Sequence, residues 1–228
     1  MYTFNYFGEQ PEYDVSDLPD CYAKELAACA DWLKFGFHAG DDKKKYNVDE
    51  PEQVKADYEK FLEAIMHATN HNPDCLDRVV RLGFFAGTEA NVLALRDCEK
   101  GILGLLTADN DNKRLSYYFG EEKTAWVNRI GEFWEHGVLF LRSQLRMELV
   151  ENVDALMEKM REYTEPKVIE LFTHESCWCR KSRVEGFSVR QLCEELIRRS
   201  FEAGYGFGFA QELYYVEGGR GDYYAIVG

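Results

Sequence analysis

Residues 121–163 read EEKTAWVNRI GEFWEHGVLF LRSQLRMELV ENVDALMEKM REY, and the fold expected of the whole chain turns on this stretch. Apolar residues fall at Val127, Ile130, Trp134, Val138, Leu141, Leu145, Leu149, Val153, Leu156 and Met160. Gaps of three and four keep one stripe on one side of an α-helix. Glu121 and Glu122 suit the positive end of that helix, Lys159 and Arg161 its negative end, and Thr164-Glu-Pro166 stops it. Unbroken, the helix would reach about 65 Å. Trp126, Phe133 and Phe140 widen its first half, which several elements should therefore bury. From Leu145 onward the stripe narrows, as at a coiled-coil-like homodimer contact. The expected fold is mainly α: a helical bundle around one long helix over about 121–163, then a strand, a helix and a C-terminal β-hairpin.

Upstream, Met1–Phe7 alternates loosely and reads as a short strand. Leu18, Tyr22, Leu26, Cys29, Leu33 and Phe37 recur at helical spacing after Asp17-Leu-Pro19, which predicts a first helix. Asp49-Glu-Pro51 opens a second, with Val54, Tyr58, Phe61 and Ile65 as its buried stripe. Asp74 caps a third carrying Leu76, Val79, Val80 and Phe84, and Thr88 a short fourth with Val92, Leu93 and Leu95. Two apolar runs around Thr107-Ala-Asp-Asn-Asp-Asn112 predict a hairpin over 101–119.

Downstream, Lys167–Thr173 reads as a strand and Ser188 caps a helix with Val189, Leu192, Cys193, Leu196 and Ile197. Ala203–Phe209 is a turn of alternating glycine and aromatic residues, and runs over 212–216 and 223–227 flank Gly218-Gly-Arg-Gly221 as a closing hairpin. The chain thus divides into an acidic helical domain, 1–165, tightly joined to a small α+β part, 166–228.

Charge narrows the choice of partner. The chain carries 27 basic and 41 acidic residues, a net charge of −14, which argues against direct binding to nucleic acid or an anionic membrane and favours a basic protein surface. Residues 176–228 are balanced, so the whole excess lies before them. The first 23 residues hold no Lys or Arg, and Glu9, Glu12, Asp14, Asp17 and Asp20 form an acidic run there. No basic leader with an apolar core opens the sequence and no apolar run approaches membrane-spanning length. Seven cysteines, an odd number without scaffold-like spacing, fit the reducing cytoplasm.

Two chemistries are visible around residue 177. His174, Cys177, Cys179 and Cys193 are suitable zinc ligands if the helix from Ser188 folds back on the preceding loop. A strand followed by Trp178-Cys179-Arg180-Lys181-Ser182 ahead of a helix also resembles, locally, the active-site entry of thioredoxin-like proteins. The resemblance implies a redox thiol at Cys179, activated by a helix start and by Arg180 and Lys181, with Ser182 in place of the second cysteine. No catalytic triad order, phosphate loop or dinucleotide fingerprint is present.

The expected function is a non-catalytic acidic interaction protein: an inhibitor, immunity-type protein or nucleic-acid mimic that docks on a basic partner through Glu9, Glu12, Asp14, Asp17 and Asp20, without a cofactor. The alternative is a thiol- or zinc-dependent enzyme with its site around His174, Cys177 and Cys179.

Overall fold

Strand β1 (Tyr2–Glu9) lies parallel beside β2 (Leu33–Asp41), with Phe4 opposite Phe35. Between them come a 3-10 turn, Asp20–Tyr22, and helix α1 (Ala23–Ala28). Helix α2 (Pro51–Ala68) leads to two short consecutive strands, β3 (Leu76–Asp77) and β4 (Val79–Val80). Helix α3 (Glu89–Arg96), strand β5 (Gly104–Thr107) and helix α4 (Glu121–Ile130) follow, and then the antiparallel pair β6 (Glu132–Glu135) and β7 (Val138–Arg142). The chain closes with β8 (Leu145–Arg146), α5 (Val153–Glu162), β9 (Leu171–Phe172), α6 (Val189–Glu202) and α7 (Ala210–Tyr215). This computed structural model describes residues 2–9, 17–41, 43–108, 114–143, 145–162, 169–174 and 177–215.

The architecture is mixed α/β, and the expectation of a mainly α bundle is wrong. Two sheets meet at a single residue. β3 pairs with β2, β4 pairs with β5, and Arg78 stands between them. The Arg78 carbonyl accepts from Leu103 N–H at 2.7 Å, and its own N–H donates to the Gln211 side chain of α7 at 2.9 Å. Across the join the order is β1-β2-β3 and then β4-β5-β7-β6, parallel throughout except for the edge strand β6. Each parallel step carries a helix, the arrangement that lets a parallel sheet bury its faces. A third sheet pairs β8 with β9 in parallel.

The long helix over 121–163 does not form. Gly131, at φ 96°, caps α4 in the left-handed conformation that glycine adopts without a Cβ clash. His136 and Gly137, at φ 51° and 75°, make the two-residue turn that joins β6 to β7. Positive φ at both positions matches the twist of a tight hairpin. The helical stripe misled because Val138-Leu-Phe-Leu141 is apolar at every position. β7 lies between β5 and β6 and is buried on both faces, so a strand of this kind shows no alternation and fits either period. Helical periodicity holds only inside α4 and α5.

Four other expectations change. Leu33 and Phe37 belong to β2 and not to a first helix: Leu33, Phe35, Phe37 and Ala39 alternate with Lys34, Gly36, His38 and Gly40 at the strand period. The third helix is replaced by β3, β4 and a 3-10 turn at Gly83–Phe85. The hairpin over 101–119 is absent, because β5 pairs in parallel with β4 and β7 and residues 114–119 form no strand. The C-terminal hairpin is also corrected: residues 212–215 lie in α7, and the remaining residues of that expected hairpin, 216–227, fall outside those described.

The core has three parts. On one face of the sheet, Phe35, Phe37, Val80, Leu105, Val138 and Phe140 pack against α2, α3 and α4 through Val54, Tyr58, Phe61, Ile65, Val92, Leu95 and Val127. Each such large side chain contributes about 1.5–3 kcal/mol on burial. On the other face Val79, Leu103, Leu106, Leu139 and Leu141 meet Trp134 and, from α7, Ala210 and Tyr214. Separately, Val153, Leu156, Met157 and Met160 of α5 pack on Val189, Leu192, Cys193 and Leu196 of α6. That packing covers Val153, Leu156 and Met160 of the face expected to form a homodimer, while Leu149 of the same stripe stays exposed. Among the described residues no helix is long and apolar enough to cross a membrane.

Candidate functional site

In open parallel sheets, ligands bind beyond the carboxyl ends of the strands, where helix and loop starts leave polar groups. Here the ends of β4 and β9 converge with the second half of β2. Phe35, Phe37 and Ala39 of β2 point into the helix-covered core, so alternation turns His38 to the opposite face. Arg81 directly follows β4, and its carbonyl accepts a hydrogen bond from His38 Nδ1. Phe172 ends β9, with Thr173 and His174 next in the chain.

The register of the small sheet supplies the partner of His174. Arg146 of β8 pairs with Phe172 of β9. Two residues further along each chain stand Glu148 and His174, whose Oε1 and Nδ1 are 2.5 Å apart. The other Glu148 oxygen accepts from Thr173 Oγ1 at 3.0 Å, and Arg146 Nε donates to Oε1 at 2.9 Å. Arg146 Nη2 also lies 3.5 Å from His174 Nδ1, but that nitrogen already donates to Glu148, so this contact adds no bond. Burial would raise the Glu148 carboxyl. The bonds from His174, its own backbone N–H, Arg146 and Thr173 outweigh burial and hold it down at about 2.

His38 is pushed the other way from an imidazolium. Burial, then the Arg81 charge, lowers its pKa to about 3 against the pull of the Arg81 carbonyl, and His174 is close enough to lower it further. It is therefore neutral at neutral pH. The Arg81 guanidinium sits 4.9 Å from the Phe172 ring and 5.9 Å from Phe85, and Phe172 meets His174 edge-on at 6.3 Å. The His174 side chain is 37% exposed, enough for a small molecule to reach it. The result is one carboxylate held ionised at neutral pH and fixing one imidazole, another imidazole (His38) kept neutral by burial, and an arginine beside them. Such a set can take up a proton, hold the positive charge that results, and return it.

The residues singled out from sequence are scattered by comparison. Cys193 is buried in the α5–α6 core, where burial, then Glu148 and Glu194, push its thiol up to about 11. Cys177 is partly buried beside that core and Cys179 is exposed. The four-ligand zinc centre is not assembled: among the described residues no three of His, Cys, Asp and Glu gather to hold a metal. Cys179 lies well before α6, whose N-cap is Ser188, so no helix start activates it as the local thioredoxin resemblance implied. In the acidic run, Glu9 ends β1, Asp17 is exposed, and Asp20 accepts from His67 Nε2 at 2.8 Å; Glu12 and Asp14 lie outside the described residues.

Of the side chains in this cluster, sequence reading singled out His174 and not His38, Arg81, Arg146 or Glu148. A signal was available for two of these. Phe35-Gly-Phe-His38 places a histidine within the second half of a parallel strand, and Val79-Val-Arg81 places an arginine just past the end of another. Glu148 carried no such mark, because only the β8–β9 register brings it to His174. No protein family, curated protein or solved structure matches this chain.

Proposed function

We propose that the chain is an acid–base enzyme whose site is the Glu148–His174 pair, with His38 and Arg81 beside it at the carboxyl ends of the sheet. One observation carries the reading: the 2.5 Å contact between an ionised, four-bonded carboxylate and a solvent-reachable imidazole. A carboxylate so placed fixes the ring's tautomer and stabilises the imidazolium that forms during proton transfer. In this reading a water beside His174 is the nucleophile and the reaction is a hydrolysis. His174 takes the proton of the attacking water and returns it to the leaving group. Glu148 positions the ring, and Arg81 faces the negative charge that develops.

The test is a panel of chromogenic esters, amides and phosphoesters, assayed with the purified chain. His174→Gln should lower kcat on the responsive substrate by about 10²–10⁴-fold. Glu148→Gln should lower kcat as well and displace the pH–rate profile, which a purely structural loss does not do. Full activity in His174→Gln would overturn the reading.

A second reading keeps the acidic N-terminal run as a docking surface for a basic protein, supported by the exposure of Asp17 and Asp20. Binding to such a partner should weaken steeply with salt and with joint neutralisation of Glu9, Glu12, Asp14 and Asp17. Salt-insensitive binding that survives the quadruple change would remove it. In either case seven unbridged cysteines support a reducing compartment, which we take to be the cytoplasm.

A further inference from the structure

Beyond β4 the backbone enters a conformation that bulky residues avoid. Phe84 and Phe85 stand at φ 58° and 55° in consecutive positions of the Gly83–Phe85 turn. Left-handed backbone at two successive phenylalanines persists only when the surroundings hold it, and such strain collects at ligand sites. Here the holders are identifiable. The Phe84 carbonyl accepts from Arg114 Nη2 at 2.7 Å, and the Phe85 carbonyl accepts from Tyr117 N–H at 2.6 Å. Tyr117 is itself at φ 57°, and its hydroxyl donates to the Leu106 carbonyl at 2.6 Å, which ties the assembly to β5.

This clamp presents an apolar ring to solvent with one cation over it and a second cation over the neighbouring ring. Phe84 is 43% exposed. Lys45 Nζ lies 4.8 Å from its ring centroid, and the Arg114 guanidinium lies 5.3 Å from that of Phe85. In a chain with 41 acidic residues against 27 basic ones, neither Lys45 nor Arg114 is paired with a carboxylate among the described residues. From Phe85 a run of ring and cation contacts leads through Arg81 and Phe172 to His174.

We propose that the Phe84–Phe85 turn is a binding platform for a small organic anion. The flat apolar part of the ligand lies on Phe84, and its carboxylate or phosphate lies between Lys45 and Arg114. The binding does not depend on His174.

NMR titration of the full chain with phenyl phosphate, benzoate and benzyl alcohol tests it. The two anions should perturb the amides of residues 84–85 and 114–117 and bind at least about tenfold more tightly than the alcohol. Lys45→Gln and Arg114→Gln should each weaken the anions about three- to tenfold, more at low salt, whereas Arg114→Lys should restore most of the loss. Phe84→Ala should weaken all three probes. Equal affinity for anions and alcohol, unchanged affinity in both charge variants, or perturbation that misses residues 84–85 would each overturn the proposal. His174→Gln separates the two claims: it should bind phenyl phosphate as the parent chain does. If it binds normally and also hydrolyses normally, the acid–base reading fails while the platform stands.

Discussion

The sheet with its helices, residues 2–143, and the smaller β8–β9 and α5–α6 part, residues 145–202, are built on different principles. In the first, the central strands are buried on both faces and aromatic: Phe140 contacts the rings of Tyr117, Tyr118 and Phe119 at 5.9, 6.0 and 4.5 Å. In the second, two amphipathic helices share one narrow interface of Leu, Met, Val and Cys, with Arg–Glu pairs such as Arg190–Glu194 on the outside. Neither part holds the candidate site alone. His38 and Arg81 come from the first, Glu148 and His174 from the second, and they meet where strand ends of both parts converge. The larger part thus supplies His38 and Arg81, while the smaller part supplies the charged pair.

Core truncations should separate the halves most sharply. Phe140→Ala removes a fully buried ring in contact with three others and should cost about 3–5 kcal/mol in urea unfolding. Met157→Ala in α5 should cost less, about 2–3 kcal/mol, because the helix pair can close over a lost thioether. Equal losses would break the comparison.

Acid comes next in size, and it acts where the halves meet. Folded His38 titrates near 3, below its ordinary 6.5, so between those values the unfolded chain binds more protons than the folded one. Stability is therefore full above about pH 6.5 and falls as pH drops through that window. Glu148, held near 2 against an ordinary 4.5, adds a loss of the same sign at lower pH. The slope from one proton is at most about 1.4 kcal/mol per pH unit. Urea midpoints measured from pH 8 to 4 should show it, and His38→Gln should flatten the part between pH 6.5 and 4.5. A slope unchanged in that variant would place the acid sensitivity elsewhere.

The smallest effect belongs to a helix end. Ser188 and Gln191 form a reciprocal cap at the start of α6, and Ser188→Ala should cost about 1 kcal/mol. Thr88, whose Oγ1 accepts from Asn91 N–H at 3.2 Å, caps α3 in the same way within the first half. Closely similar losses for Thr88→Ala and Ser188→Ala would show that the halves differ in core and not in local helix chemistry.

How far the fold could be read follows from the range of each signal. Helix α2 starts at Pro51 and buries Val54, Tyr58, Phe61 and Ile65, as its stripe and acidic start predicted. The caps of α3 and α6 and the glycine-aromatic turn after α6 were also legible, since each is decided by neighbours within about one helical turn. His174 was noticed for the wrong partners: the cysteines are adjacent in sequence, while Glu148 is adjacent only through strand pairing.

Sequence by itself determined the amphipathic helices, their caps and the acidic balance, because these rest on local spacing and on composition. Tertiary structure alone decided that residues 132–142 are a strand pair, that the chain passes from one sheet to the next at Arg78, and that a carboxylate and two imidazoles converge. The physical reason is shared. A strand buried on both faces has no periodicity of its own, and its conformation is set by hydrogen-bond partners far away in the chain.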